Sequence, residues 1–188
     1  MQAATPHKLS HNLSGEWEEF SFPAVFERER HSSGAERVAF GVPGGDVEVI
    51  RSLLRCIDAP IDLLYVLHTP RGEGLPGRYQ SPPLPLESVL GFLSKYAAYL
   101  RADARHDLWV HSSGSNATIV FDRHNRGRAY GPVDCFIEAL SSLGFVSGSL
   151  PGIPAHVHHY RAEYDAVASN VLSEYSWRRS DLWPEDEQ

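Results

Sequence analysis

Apolar residues recur at helical spacing in four stretches. In the first, Ile50, Leu53, Leu54 and Ile57 fall at i, i+3, i+4 and i+7, with Asp46 at the N-cap position. The second is the longest, with Leu86, Val89, Leu90, Leu93, Tyr96, Ala97 and Leu100 in one stripe. A third, over residues 132–143, has Pro132 in its first turn and Gly144 just past its end. The last begins at Ala162 and carries Tyr164, Val167, Ala168, Val171, Leu172 and Tyr175 on one face.

Strand-like patterns lie between these helices. Residues 37–42 and 61–68 are β runs, the second almost wholly apolar, as in a strand covered on both faces. Residues 107–130 read as strand, turn, strand, turn and short strand, with Asn125-Arg126-Gly127 as the tight second turn. Residues 155–160 form a histidine-loaded strand, and residues 16–22 an edge strand that stops at Pro23. Residues 25–30 are ambiguous, and 31–34 are a turn. Residues 69–85 make a long connection rich in proline and glycine, of the kind used as a lid or binding loop.

This order predicts an α+β fold, α/β-like in its N-terminal half. It is one domain over residues 16–180, with a mixed sheet of about five to six strands packed by four helices. Helical crossovers favour parallel pairing among the strands near 40, 65 and 109. Residues 1–15 read as a flexible arm, and 181–188 as an acidic tail.

Composition narrows the function classes. At 188 residues and 22% charged residues, the chain is long enough for a substantial core. A formal charge of −7 disfavours nucleic-acid binding, which depends on neutralising phosphates. No apolar run is long enough to span a membrane and no secretory signal is evident, so a cytoplasmic address is expected. Cys56 and Cys135 have no paired spacing and read as buried free thiols.

Ten histidines make metal binding the first chemistry to test. His111 and His124 fall at opposite ends of a hairpin, roughly 20 Å apart, and cannot share an ion. Asp122 and His124, two apart, present a carboxylate and an imidazole to one side, suited to a metal or general base, or simply to ordering a turn. His68 and His111 end two β runs, at an edge where ligands bind in open sheets. The glycine turn before Asp46 is a further anion candidate there, though it lacks a phosphate-loop pattern. His156 and His158 share one face of their strand and supply half of a metal site.

Two functions follow. One is a non-catalytic, immunity- or inhibitor-type module whose carboxylates meet a basic protein partner. Its candidate binding residues are Arg71, Arg78 and Tyr79 in the long connection, Arg123 and Arg126 at the hairpin tip, and Trp177 and Trp183 near the end. The other is a small metal-dependent hydrolase using Asp122, His124, His111 and His68, or a divalent ion on His156 and His158. With the histidines dispersed, the binding module is preferred, and His124→Ala and His158→Ala are each expected to leave function intact.

Overall fold

The computed structural model describes residues 7–30, 34 and 36–187. Strands β1 (Leu9–Leu13), β2 (Glu16–Glu19), β3 (Val25–Arg30) and β4 (Glu36–Gly41) lead into helix α1 (Val47–Leu53). Strands β5 (Ile61–Leu67) and β6 (Gly77–Gln80) precede helices α2 (Leu86–Lys95) and α3 (Ala97–Ala102). Then come β7 (His106–Ser112), β8 (Ala117–Phe121), β9 (Arg126–Tyr130) and α4 (Val133–Ser142). Strands β10 (Val146–Ser147) and β11 (His156–His158), helix α5 (Asp165–Ser173) and strand β12 (Arg178–Ser180) complete the chain.

The α+β architecture stands, but the sheet is larger than the pattern predicts. Among the described residues, nine strands run in the order β10-β3-β4-β9-β8-β7-β5-β6-β12, and a separate three-stranded sheet runs β11-β1-β2. The expected parallel pairing near residues 40, 65 and 109 is replaced by antiparallel pairing. β7 lies antiparallel to β5, and β4 pairs with β3 and β9, while the parallel pair is β10 with β3. The cause is β6, hidden in the connection over residues 69–85. It forms a hairpin with β5 and reverses the chain before the helices cross.

Period-two alternation decides what each face of the large sheet does. Val38 and Phe40 of β4, Leu63 and Tyr65 of β5, Leu108 and Val110 of β7, and Ile119 and Phe121 of β8 point to the helices and are buried. The helical stripes meet them through Ile50, Leu53, Val89, Leu93, Phe136 and Leu140. Among the described residues, the opposite face carries no α-helix and presents mostly polar side chains. The predicted helix over 86–102 breaks at Tyr96 into α2 and α3 without losing its buried stripe.

The stretch expected to be an arm holds β1, with Lys8 and Leu9 fully buried, while residues 1–6 lie outside the described part. The expected turn over 31–34 falls mostly outside it too. Leu9, Phe20 and Phe22 form a small second core with Leu150 and Ile153. The Lys8 ammonium donates to the Asp122 carbonyl at 2.9 Å and lies 4.0 Å over the Phe121 ring, joining the small sheet to the end of the large one. Cys56 and Cys135 are not free thiols. They form a disulfide, with Cα atoms 5.8 Å apart, tying the end of the α1 segment to α4.

Candidate metal centre

The centre begins with the turn between β8 and β9. Asp122 Oδ1 accepts the backbone N–H groups of His124 and Arg126, both at 2.9 Å, and the Asn125 N–H donates to the Asp122 carbonyl. Asn125 takes a positive φ of 60°, a conformation asparagine tolerates well. Asp122 therefore orders the turn, and the ordered turn holds His124 toward the small sheet.

There β11 pairs antiparallel with β1, with His158 opposite Leu9 and His156 opposite His11. The two-residue period puts His156 and His158 side by side. Their ring centroids lie 5.2 Å apart and stand 5.3 and 4.8 Å from His124. One ligand nitrogen from each of the three lies within 4.8 Å of the others. A tetrahedral zinc, with bonds near 2.0–2.1 Å, would draw such nitrogens to about 3.3 Å apart.

The surroundings favour the ligand form of each ring. His156 Nδ1 donates to the Pro154 carbonyl at 2.9 Å, which leaves the Nε2 lone pair free to bind. His158 Nε2 is buried without a hydrogen-bond partner. Burial holds His158 down to about 4, aided by His124, His156 and Arg123. Burial also lowers His124, against an opposing pull from Asp122, whose Oδ1 lies 3.9 Å from His124 Nδ1. Both rings are thus neutral at neutral pH, the state that binds metals. A cavity of about 340 Å³ opens beside His124, lined by Asp107, Asp122, Arg126 and Arg128 among others.

No protein-family model, curated protein or solved structure matches this chain. Its function has to be read from geometry.

The other sequence candidates scatter. His111 Nδ1 bonds the Thr118 hydroxyl at 2.9 Å on the bare sheet face. His68, nearly buried, sits 3.0 Å from the Asp107 carboxylate, which also accepts the Arg123 N–H. The glycine turn before α1 is filled from within: the Gly44 N–H donates to Ser21, and its carbonyl accepts from Arg101. Among the binding candidates, Arg71 pairs with Asp165, Tyr79 is buried, and the Trp177 indole donates to the Val171 carbonyl beneath Tyr65 and Phe92. Arg126 lies 5.6 Å over the Phe22 ring, and Arg123 lines the cavity beside His124. Arg78 and Trp183 stack on one another, with the guanidinium 4.0 Å from the ring centroid. The sequence pattern marks two of the centre's three histidines, His156 and His158, as a shared face and assigns His124 to a separate candidate. The bridge between them is the β1–β11 pairing.

Proposed function

We propose that this chain is a metal-binding protein that holds a zinc-like divalent ion on His124, His156 and His158 and uses the remaining coordination position for hydrolysis. The observation that carries this reading is the meeting, within 4.8 Å, of two imidazoles from β11 of the small sheet with a third from the β8–β9 turn of the large one. Three imidazoles without a thiolate suit zinc, nickel, copper or iron. Structural zinc sites normally close with four protein ligands, whereas three leave a position for water or substrate. A bound ion there would lower the pKa of its water toward neutrality and supply a nucleophile. Asp122 places His124 through the turn it orders, and the cavity beside His124 gives a substrate room. This reading reverses the expectation that His124→Ala and His158→Ala are silent.

The test is metal analysis of protein purified without an affinity tag, followed by calorimetric titration of the stripped protein with zinc. About one equivalent per chain is expected, with affinity falling at least ~100-fold in His156→Gln and His158→Gln, beyond the roughly 10–100-fold typical when only a residue that hydrogen-bonds to a ligand is changed. Absence of binding for zinc, nickel, copper and iron(II) alike would sink the proposal.

One observation supports the non-catalytic alternative. On β2, Trp17 is 54% exposed and stands among three exposed glutamates, a surface suited to a basic protein. In that case stripping the metal would leave function untouched. No helix among the described residues is long and apolar enough to cross a membrane. A cytoplasmic setting fits poorly with the Cys56–Cys135 bridge, because disulfides persist mainly in oxidising compartments.

A further inference from the structure

The face of the large sheet opposite the α-helices is crossed by the end of the chain. Residues Pro184–Glu187 form a short 3-10 turn, closed by Asp186, whose carboxylate accepts the Trp183 N–H at 2.7 Å. Arg78 of β6 anchors this strap twice. Its Nη1 meets Asp186 Oδ1 at 2.5 Å, with both side chains under 10% exposed, and its guanidinium lies over the Trp183 ring. Trp183 nevertheless keeps 57% of its surface exposed.

The strap divides what would otherwise be one trough. Three cavities, of about 1200, 340 and 440 Å³, all meet at Trp109 in the middle of β7. Glu185 walls the first two, Asp186 the second and Trp183 the third. The Trp109 indole N–H at this junction is buried and has no acceptor. With Glu185 and Asp186 set aside, eight arginines and five carboxylates line the three cavities, in a chain whose net charge is −7. The bare face is therefore locally basic, and the segment lying on it carries an indole followed by carboxylates. Arginine forks and aromatic faces together recognise that combination.

We propose that this trough docks an acidic, tryptophan-bearing peptide segment of another protein, and that residues 181–187 are its intramolecular competitor. This goes beyond the metal reading and does not depend on it. It also inverts the sequence-based expectation of a basic partner, at least for this face. A tethered competitor at millimolar effective concentration suppresses binding of a free segment until it is released.

The experiment uses the full chain and a fluorescein-labelled peptide of residues 180–188, followed by anisotropy. Trp183→Ala combined with Asp186→Asn releases the strap, and Asp186→Asn alone serves as a milder version if the double variant folds poorly by circular dichroism. Released chains are expected to bind the peptide at least 10-fold more tightly than wild type. Adding Arg128→Gln should weaken that binding at least 5-fold, and the effect should fade with added salt. Equal affinity in wild-type and released chains would overturn the proposal, as would indifference to Arg128→Gln. A single-stranded oligonucleotide of equal charge binding as tightly as the peptide would also overturn it, pointing to a polyanion site instead.

Discussion

At the scale of single residues, two fully buried cations define what the fold tolerates. Burial lowers the Lys8 ammonium to about 8, against opposing pulls from Asp122, Asp107 and Asp103. Its folded-state pKa lies below the unfolded value near 10.5, so between about 8 and 10.5 the unfolded chain binds more protons. Stability from this group therefore rises as pH rises through that window. Lys8→Met should remove this slope, so the gap between wild-type and variant melting temperatures should shift in favour of wild type from pH 8 to 10.5; a pH-independent gap would count against it. Arg105 is the opposite case, a buried charge fully answered. It is 0% exposed, forks onto Asp103, and also bonds Glu73, Asp165 and the Arg161 carbonyl. Arg105→Met would strand the buried carboxylates of Asp103 and Glu73, and is expected to cost about 3–5 kcal/mol in urea unfolding. Arg105→Lys should recover little, because one ammonium cannot reproduce the fork. A loss below about 1 kcal/mol in the methionine variant would show that the network relaxes around the gap.

At the scale of elements, the legible parts are those with enough periodic residues to bury a face by themselves. The stripes of α2 and α4, the apolar run of β5 and the hairpin of β7 and β8 all stand as read. Strands β1, β3 and β6 were not legible, because four to six residues with few apolar positions become strands only by pairing. Gly77-Arg78-Tyr79-Gln80 has no period to detect, yet its hairpin with β5 sets the direction of everything after it. The same holds for the metal centre. The alternation His156-Val157-His158 shows a two-imidazole face, but the arrival of His124 depends on β1 carrying β11 to the end of the large sheet. Glycine at position 127 shows how tightly such pairings are made. It sits opposite Phe40 across β4 and β9, and a Cβ there would fall 2.1 Å from the Phe40 ring. Gly127→Ala should destabilise by about 1–3 kcal/mol through overpacking, and Phe40→Leu should partly rescue it. Additive losses in the double variant would place the strain elsewhere.

At the scale of the molecule, the candidate metal centre lies on the join between the two sheets. Among the contacts across that join, Lys8 reaches the Asp122 carbonyl, Phe22 lies against Arg126 and Gly41, and His156 and His158 meet His124. His156 and His158 belong to β11, whereas His124 belongs to the turn leaving β8, so an ion shared by all three would clamp one sheet to the other. Ligand binding to the folded state alone stabilises it by an amount that grows with the logarithm of saturation, about 2.7 kcal/mol at one hundred times Kd. The gain should concentrate where the clamp acts. With zinc, hydrogen exchange is expected to slow in residues 8–20 and 155–159 and around the 122–126 turn, while the core strands β5 and β7 change little. In His156→Gln the same zinc addition should leave all of these rates unchanged. Uniform slowing over the whole chain in wild type, or slowing that survives His156→Gln, would mean the ion binds elsewhere. The three imidazoles would then be neighbours by packing alone.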